Sequence, residues 1–325
     1  MFTPSSFTTE AQLADPDYLL QLAAFWQRVE QGAITSHDGL RLNYCAVRQP
    51  HRAPAIVFCS GRVESYLKYQ ELIHDCYQQG FSIYAMDHRG QGLSERLGPD
   101  HHLGHVDQFD DYIQDLYQFV QTVVMADRHS QLVMLGHSMG GAIGTLYLQQ
   151  YGHAFAAAAF SAPMYGIQLP APAFIIKPLA GWLNQVPKGG QPNYVLTGKG
   201  YQDVPFADNE LSHSTLRYHR YRELYQQRPE LQLGSPSNQW LLQALQGATA
   251  AQLAARNSTI PLLVLQASDD TIVDIAAQTR AQGGLCQLLV IGGARHEIFI
   301  ETDERRQQGL AAVFEFFANH LHDDA

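Results

Sequence analysis

Cysteine is scarce in this chain, and no long apolar run is uninterrupted. The 325 residues include four cysteines, none of them in a CxxC pair. Such scattered thiols argue against a disulfide framework or a structural zinc site and are typical of a cytoplasmic enzyme with reduced cysteines. The most apolar stretch, 167–183, contains three prolines and one lysine. We therefore do not expect it to form a membrane-spanning helix.

Positive charge is also in short supply. The chain has 21 lysines and arginines against 31 aspartates and glutamates, a formal net charge of -10. This balance argues against a general nucleic-acid binder, since phosphate backbones favour a broad basic surface. An anionic bilayer would repel the same charge, so any membrane contact should be local. The opening residues MFTPSSFTTEAQLADPDYLL lack a basic region followed by an apolar stretch. We therefore expect no secretion signal.

Short apolar runs alternate with helix-length amphipathic segments along most of the chain. The runs predict strands, and the segments between them predict helices. The predicted strands are 55–59, 82–86, 131–135, 156–161, 262–266 and 287–291; the predicted helices are 66–79, 107–126, 141–151, one from about 274, and 303–320. Alternation of this kind predicts an α/β fold with a mostly parallel sheet flanked by helices on both faces.

Two segments depart from this alternation. Residues 1–36 carry apolar side chains at helical spacing, which predicts a helical lead-in to the core. Residues 164–258 show no strand alternation and are rich in proline, tyrosine, arginine and glutamine. We interpret them as a helical cap inserted into a core made of residues 1–163 and 259–325.

The stretch VMLGHSMGGAIG passes from an apolar strand into a helix through the pattern GxSxG, with Ser138 at its centre. In this context the serine occupies a strained turn between strand and helix, where a Cβ on either flanking glycine would collide with neighbouring backbone. The turn would expose the Ser138 hydroxyl above the sheet. The sequence therefore predicts a serine nucleophile.

A serine nucleophile needs a base, and the base needs an acid that holds its tautomer. In this strand-turn-helix context the chain order is serine, acid, histidine. ASDDTIVD follows the strand at 262–266 and offers Asp269 and Asp270, while Asp274 is explained as a helix N-cap. Asp269 and Asp270 are nearly equivalent on the residues alone. His296, in the loop after the last predicted strand, is the expected base.

The oxyanion of a tetrahedral intermediate needs hydrogen-bond donors. We expect one from the backbone amide of Met139, directly after the serine, and one from the amide of Arg62, in the loop after the strand at 55–59. Three histidines at 101, 102 and 105 lack a carboxylate or cysteine at a convincing ligand spacing. We therefore expect neither a metal nor an organic cofactor.

These motifs resemble the α/β-hydrolase superfamily, in the branch of monoacylglycerol lipases and lysophospholipases, and above all the bacterial inner-membrane lysophospholipases. The resemblance rests on GHSMGG and GARHE together with SGRVESYLKYQEL, MDHRGQGLSERLGPDHHLGHVDQFDDYIQDL and SAPMYGIQLP. It implies Ser138 as nucleophile, Asp270 as acid, His296 as base, and the amides of Arg62 and Met139 as the oxyanion hole. Many monoacylglycerol lipases have a histidine where this chain has Ser60, a departure that weakens the glyceride interpretation.

The resemblance implies hydrolysis of a fatty-acyl ester, with a lysophospholipid as the leading substrate. A monoacylglycerol lipase, a broad carboxylesterase and a non-catalytic binding module are the alternatives. We expect the apolar residues Ile175 and Trp182 to receive the acyl chain, and Arg217 and Arg220 to receive a phosphate. From the resemblance to inner-membrane lysophospholipases and from the apolar cap, we also expect a peripheral contact with the cytoplasmic face of the inner membrane.

Overall fold

A single mixed sheet forms the centre of the protein. The computed structural model describes residues 7–185 and 192–321. Its strands are β1 Glu30–Thr35, β2 Arg41–Val47, β3 Ala55–Cys59, β4 Ser82–Met86, β5 Leu132–His137, β6 Phe155–Ser161, β7 Leu262–Ala267 and β8 Cys286–Ile291. Their order across the sheet is β1-β2-β4-β3-β5-β6-β7-β8. β2 pairs antiparallel with both β1 and β4, and every other neighbouring pair is parallel.

The central strands are buried on both faces, which explains their continuous apolar character. Every residue of β3, β4 and β5 is buried. Along β3, Val57 packs in the core on one side of the sheet, whereas Ile56 and Phe58 pack in the core on the other. The alternation follows from the two-residue repeat of a strand. The sheet therefore separates two apolar layers.

Helices cover both faces. They are α1 Glu10–Leu13, α2 Pro16–Trp26, α3 Gln70–Gln78, α4 Asp110–Phe119, α5 Met139–Tyr151, α6 Ala173–Asn184, α7 Thr215–Gln227, α8 Asn238–Arg256, α9 Ile275–Ala281 and α10 Asp303–His320. Apolar residues of α4, α5, α8 and α9 belong to one core layer, and those of α2, α3 and α10 to the other. The predicted α/β fold class is confirmed.

The predicted strands and helices agree with the observed ones to within a few residues. β3, β4 and α10 have the predicted bounds. The helix predicted at 66–79 begins as a 3-10 turn, Tyr66–Tyr69, before α3. The helix predicted at 107–126 consists of α4, a π-helical turn at Val120–Val124 and a 3-10 turn. Local apolar periodicity does not distinguish these helix types, because their side-chain spacings are similar.

The prediction of a wholly helical lead-in over 1–36 was wrong at its end. The last helix of this segment, α2, ends at Trp26, and residues 30–35 form β1. β1 lies at the edge of the sheet and pairs along its length with β2. No residue of β1 is fully buried. It therefore lacks the apolar alternation that would have revealed a strand.

The segment between β6 and β7 contains α6, α7 and α8. Alanines 244, 248, 251 and 255 of α8 lie at helical spacing and are buried in the core layer that also contains α5. In α6, by contrast, Ala180 is the one buried residue, and Phe174 and Trp182 are largely exposed. α8 thus packs as part of the core layer, whereas α6 does not. The division of the chain at 164–258 stays a prediction.

Two expectations from composition concern the thiols and membrane spans. Cys45, Cys59, Cys76 and Cys286 are all buried and free. Within 7–185 and 192–321, no helix has the length and apolar character needed to cross a membrane.

Candidate active site

Ser138 occupies the turn between β5 and α5. Its backbone has φ 51° and ψ -119°, a conformation that L residues rarely adopt. A Cβ on Gly140 would lie 2.1 Å from the Cys59 carbonyl oxygen, and one on Gly136 would lie 3.2 Å from the same atom. The two glycines therefore let the turn approach the end of β3 closely.

A chain of short hydrogen bonds links three of the predicted site residues. The Ser138 Oγ lies 2.9 Å from His296 Nε2, and His296 Nδ1 lies 2.7 Å from Asp270 Oδ2. The serine and the histidine are 8% and 4% exposed, so water has little access to these bonds. β5, β7 and β8 end at the same edge of the sheet, which is why loops so distant in sequence converge here.

The structure separates the two aspartates that the residues alone left open. The Asp270 Oδ1 accepts hydrogen bonds from the amides of Ile272 and Val273, at 2.8 and 3.1 Å. Burial by itself would raise the pKa of Asp270, but the hydrogen bonds from His296 and from these amides outweigh burial and lower it. The side chain of Asp269 accepts a hydrogen bond from Ser268 instead. Asp270 is thus the carboxylate that contacts the histidine.

The two amides expected to form the oxyanion hole lie on adjacent segments. Met139 is the first residue of α5, directly after Ser138. Arg62 follows Gly61 at the end of β3, and the close approach of Cys59 and Ser60 to Gly140 places this loop beside the turn at Ser138. Among the turn and loop hydrogen bonds of the described residues, neither the Arg62 nor the Met139 amide is a donor. Their role as donors to an oxyanion stays a prediction.

Buried side chains hold the Arg62 loop in place. The Glu64 carboxylate accepts hydrogen bonds from the Gly61 amide, from the Tyr69 hydroxyl at 2.8 Å and from Lys68 Nζ at 2.8 Å. The side-chain amide of Gln91 donates to the carbonyl oxygens of Gly61 and Glu64, at 2.7 and 2.9 Å. The DHRGQG motif therefore serves to fix the loop.

Lys68 joins this loop to the histidine loop. Its Nζ lies 2.8 Å from Glu64 Oε1 and 2.6 Å from Glu297 Oε1, and all three side chains are almost fully buried. Burial opposes ionisation of Glu64, but Lys68 outweighs it and lowers the pKa of Glu64 to about 2. Burial raises the pKa of Glu297. The ring of His137 lies 4.7 Å from that of His296, and burial lowers the pKa of His137 to about 3, so this ring is neutral.

The side chains of Glu64, His137 and Glu297 are of types that can bind a metal ion, and they lie close together. One ligand atom of each lies within 4.8 Å of the others. However, the Lys68 ammonium contacts both carboxylates and takes the position that a cation would need. The residues therefore fit an ion-pair network better than a metal site.

The residues expected to bind substrate lie in two regions, the helix α6 and a cleft beside α7. Ile175 and Trp182 lie on α6 and are 48% and 62% exposed. Every nitrogen of the buried Arg217 guanidinium is engaged, by Glu71, by Asp303 and by the carbonyl oxygens of Glu301 and Thr8. Each nitrogen of the Arg217 guanidinium thus already has an acceptor within the protein. Arg217 and Arg220 both line a cleft of about 240 Å³, together with Lys68, Glu71 and Glu223.

Sequence reasoning missed the residues that support the site. Glu64 lies two residues after Arg62, and Glu297 follows His296 directly, so both lie within two positions of a predicted site residue. Their shared partner Lys68 is separated from Glu297 by 229 positions. Nothing local in the sequence indicates that pairing.

A mostly parallel sheet with a serine at a strand-to-helix turn, hydrogen-bonded through a histidine to an aspartate, defines an α/β-hydrolase. The chain matches the family Hydrolase_4, described as serine aminopeptidase S33, over residues 50–303, and it belongs to this family.

Known relatives extend the comparison. Lysophospholipase L2 of Escherichia coli (strain K12) is 36% identical over 310 residues, which cover 92% of this chain and 90% of that protein. Monoglyceride lipase of Mus musculus is 27% identical over 245 residues, 74% of this chain and 73% of that protein. The crystal structure of a soluble variant of monoglyceride lipase from Saccharomyces cerevisiae superposes with a TM-score of 0.68, at 19% identity, over 90% of this chain and 97% of the other.

Proposed function

We propose that this protein is a lysophospholipase that releases fatty acid from lysophospholipids through an acyl-enzyme. The observation that carries the proposal is the chain of hydrogen bonds from Ser138 through His296 to Asp270, at 2.9 and 2.7 Å. Membership of a hydrolase family and the similarity to named lysophospholipases support an ester hydrolase.

In the first half of the reaction, Ser138 Oγ attacks the ester carbonyl carbon while His296 Nε2 accepts the hydroxyl proton. Asp270 keeps the other imidazole proton on Nδ1 and stabilises the imidazolium. The amides of Arg62 and Met139 donate to the oxyanion. When the intermediate collapses, the ester C–O bond breaks and His296 returns its proton to the departing alcohol oxygen. The product of this half is an acyl-serine and a free glycerophospho-alcohol.

In the second half, water replaces the alcohol. His296 accepts a proton from water as the oxygen attacks the acyl carbon, and it gives that proton to Ser138 Oγ as the acyl–serine bond breaks. Free fatty acid leaves and the serine is regenerated. No step requires a metal or an organic cofactor.

A monoacylglycerol lipase is the second candidate, favoured by the similarity to mouse monoglyceride lipase. Both substrates present the same ester to the same triad and differ in the group attached to glycerol. We place the lysophospholipid first because the similarity to E. coli lysophospholipase L2 is higher and covers more of the chain.

We also propose that α6 contacts the membrane surface. Phe174, Ile175 and Trp182 of this helix are 77%, 48% and 62% exposed, and such apolar side chains favour the interface of a bilayer. A flotation assay with liposomes should carry the wild type upwards, and replacing Phe174 and Trp182 with serine should weaken that association. If the wild type stays at the bottom, the contact does not exist.

The test of the proposed function is fatty-acid release from lysophosphatidylethanolamine and, separately, from monoolein, by the wild type and Ser138→Ala. We expect the wild type to prefer the lysophospholipid and the variant to be inactive on both. A preference for monoolein would make the protein a monoacylglycerol lipase with the same triad. Activity that survives in Ser138→Ala would overturn the mechanism.

A further inference from the structure

Arg62 carries a guanidinium without an acidic partner beside the proposed oxyanion hole. Its Nη2 donates to the carbonyl oxygen of Gly234 at 2.6 Å, and its Cζ lies 5.0 Å from the centre of the Trp240 ring. The buried Nε has no acceptor among the described residues, and Nη1 donates to none of them. An arginine offers five N–H donors, so most of this fork is unused. The residue as a whole is partly accessible.

The arginines that are buried as whole residues, Arg89, Arg217 and Arg306, are all paired with carboxylates. The guanidinium of Arg89 binds Asp115 and Asp38, and that of Arg306 binds Asp75. Arg96 resembles Arg62 in lacking a carboxylate, but it donates to four backbone carbonyl oxygens, including that of Glu230. Arg62 is thus charged, enclosed and short of acceptors. Burial lowers its pKa to about 10, which still leaves it protonated at neutral pH.

The position of Arg62 would place its guanidinium near the phosphate of a bound lysophospholipid. Its amide is proposed to bind the oxyanion, so its side chain begins at the reacting carbonyl. In a lysophospholipid, the phosphodiester is separated from the ester oxygen by one glycerol backbone. A guanidinium at the end of an arginine side chain spans a similar length from the same point. Phosphate oxygens are also among the acceptors that a planar guanidinium can bind through two parallel hydrogen bonds.

We propose that the free N–H groups of Arg62 bind the headgroup phosphate of the lysophospholipid, so that one residue contacts the substrate at both the ester and the phosphate. This inference rests on the proposed lysophospholipase function. It makes Arg62, rather than Arg217, the arginine that distinguishes a lysophospholipid from a neutral monoacylglycerol.

The experiment compares kcat/KM for lysophosphatidylethanolamine with kcat/KM for monoolein, in the same mixed micelles, for four proteins. They are the wild type, Arg62→Met, Arg62→Lys and Arg96→Met. Methionine keeps much of the side-chain length and removes the charge. Arg96→Met is the matched control, because Arg96 also bridges to a carbonyl of the 229–234 segment through Glu230.

We expect Arg62→Met to lower the ratio of the two kcat/KM values by on the order of tenfold to a hundredfold, through KM for the lysophospholipid, because a charge-assisted hydrogen bond is lost. Arg62→Lys should lie between it and the wild type, and Arg96→Met should leave the ratio unchanged. Circular dichroism and Tm establish that each variant is folded. If Arg62→Met does not fold, the comparison is made with Arg62→Lys instead.

Each contrary result has a separate meaning. An unchanged ratio in Arg62→Met, with a wild type that prefers the lysophospholipid, would show that Arg62 only packs between core and cap and would overturn the inference alone. A wild type that does not cleave the lysophospholipid would overturn the proposed function and the inference together. If the ratio is unchanged and inhibition by added oleate weakens, the guanidinium binds the fatty-acid carboxylate and the phosphate assignment is wrong.

Discussion

Replacing Asp270 with asparagine would change one atom of the triad and reverse the polarity of one hydrogen bond. The asparagine oxygen can still accept from the amides of Ile272 and Val273, which now donate to Asp270 Oδ1. Its NH₂ group then faces His296 Nδ1, where Asp270 Oδ2 lies 2.7 Å away at present. Two N–H groups cannot share this contact, so the imidazole must move its proton to Nε2. That nitrogen could then no longer accept the proton of Ser138.

The magnitude follows from this tautomer. An imidazole locked in the wrong tautomer lowers kcat by about ten-thousandfold in a serine protease triad, which corresponds to about 5.4 kcal/mol of transition-state stabilisation. We expect a loss of the same order here. Fatty-acid release under saturating lysophosphatidylethanolamine measures kcat directly, and the rate of labelling by a fluorophosphonate reports the nucleophilicity of Ser138 independently.

Asp269→Asn is the matched control. Asp269 is the adjacent residue, and its side chain accepts from Ser268 rather than from the histidine. We expect this variant to keep the wild-type kcat. A decrease of less than about tenfold in Asp270→Asn, or an equal decrease in both variants, would refute the argument that Asp270 sets the tautomer, since that argument predicts a far larger loss.

Three further predictions follow from the buried contacts. Because Lys68 lowers the pKa of Glu64 from its ordinary 4.5 to about 2, the ionised pair stabilises the fold above pH 4.5 and loses that effect as the pH falls to 2. Over this range the unfolding free energy of the wild type should decrease by roughly 3 kcal/mol more than that of Glu64→Gln, and parallel curves from urea titrations would contradict the shift. Arg217→Met should lower the unfolding free energy by about 1–3 kcal/mol, because Asp303 loses its cation and Glu71 keeps only Arg306, but it should not change the ratio of lysophospholipid to monoolein activity; a changed ratio would return Arg217 to the substrate site. Gly140→Ala should abolish fatty-acid release, since its Cβ would lie 2.1 Å from the Cys59 carbonyl oxygen, whereas Gly181→Ala on α6 meets nothing within 4 Å and should remain active; activity in both would show that the turn has room.

Much of the core could be predicted from the sequence because its strands are short, apolar and separated by amphipathic helices. β3 and β4 were recognisable since every residue in them is buried. The segment around Ser138 was recognisable because a strained turn restricts the residues two positions before and after the serine to glycine. β1 was missed for the opposite reason, since an exposed edge strand places no such demand on its side chains.

The substrate site was harder to predict. Arg217 and Arg220 are near each other in sequence and line the same cleft, yet the guanidinium of Arg217 is held by Glu71 and Asp303. Whether an arginine is engaged in ion pairs depends on acidic residues from distant segments. No local sequence pattern indicates these pairings. Arg62 was predicted for its amide alone, because the neighbours of its side chain lie at positions 104, 234 and 240.

The ammonium of Lys68 bonds the loop that carries Arg62 to the loop that carries His296. Consequently, we expect a substitution that shifts the Arg62 loop to displace the His296 loop as well, because one buried cation binds both. For anyone who wants to engineer this scaffold, positions 64, 68 and 297 constitute one design unit. Libraries should vary these positions jointly, because a neutral residue at position 68 leaves two buried carboxylates without their shared cation.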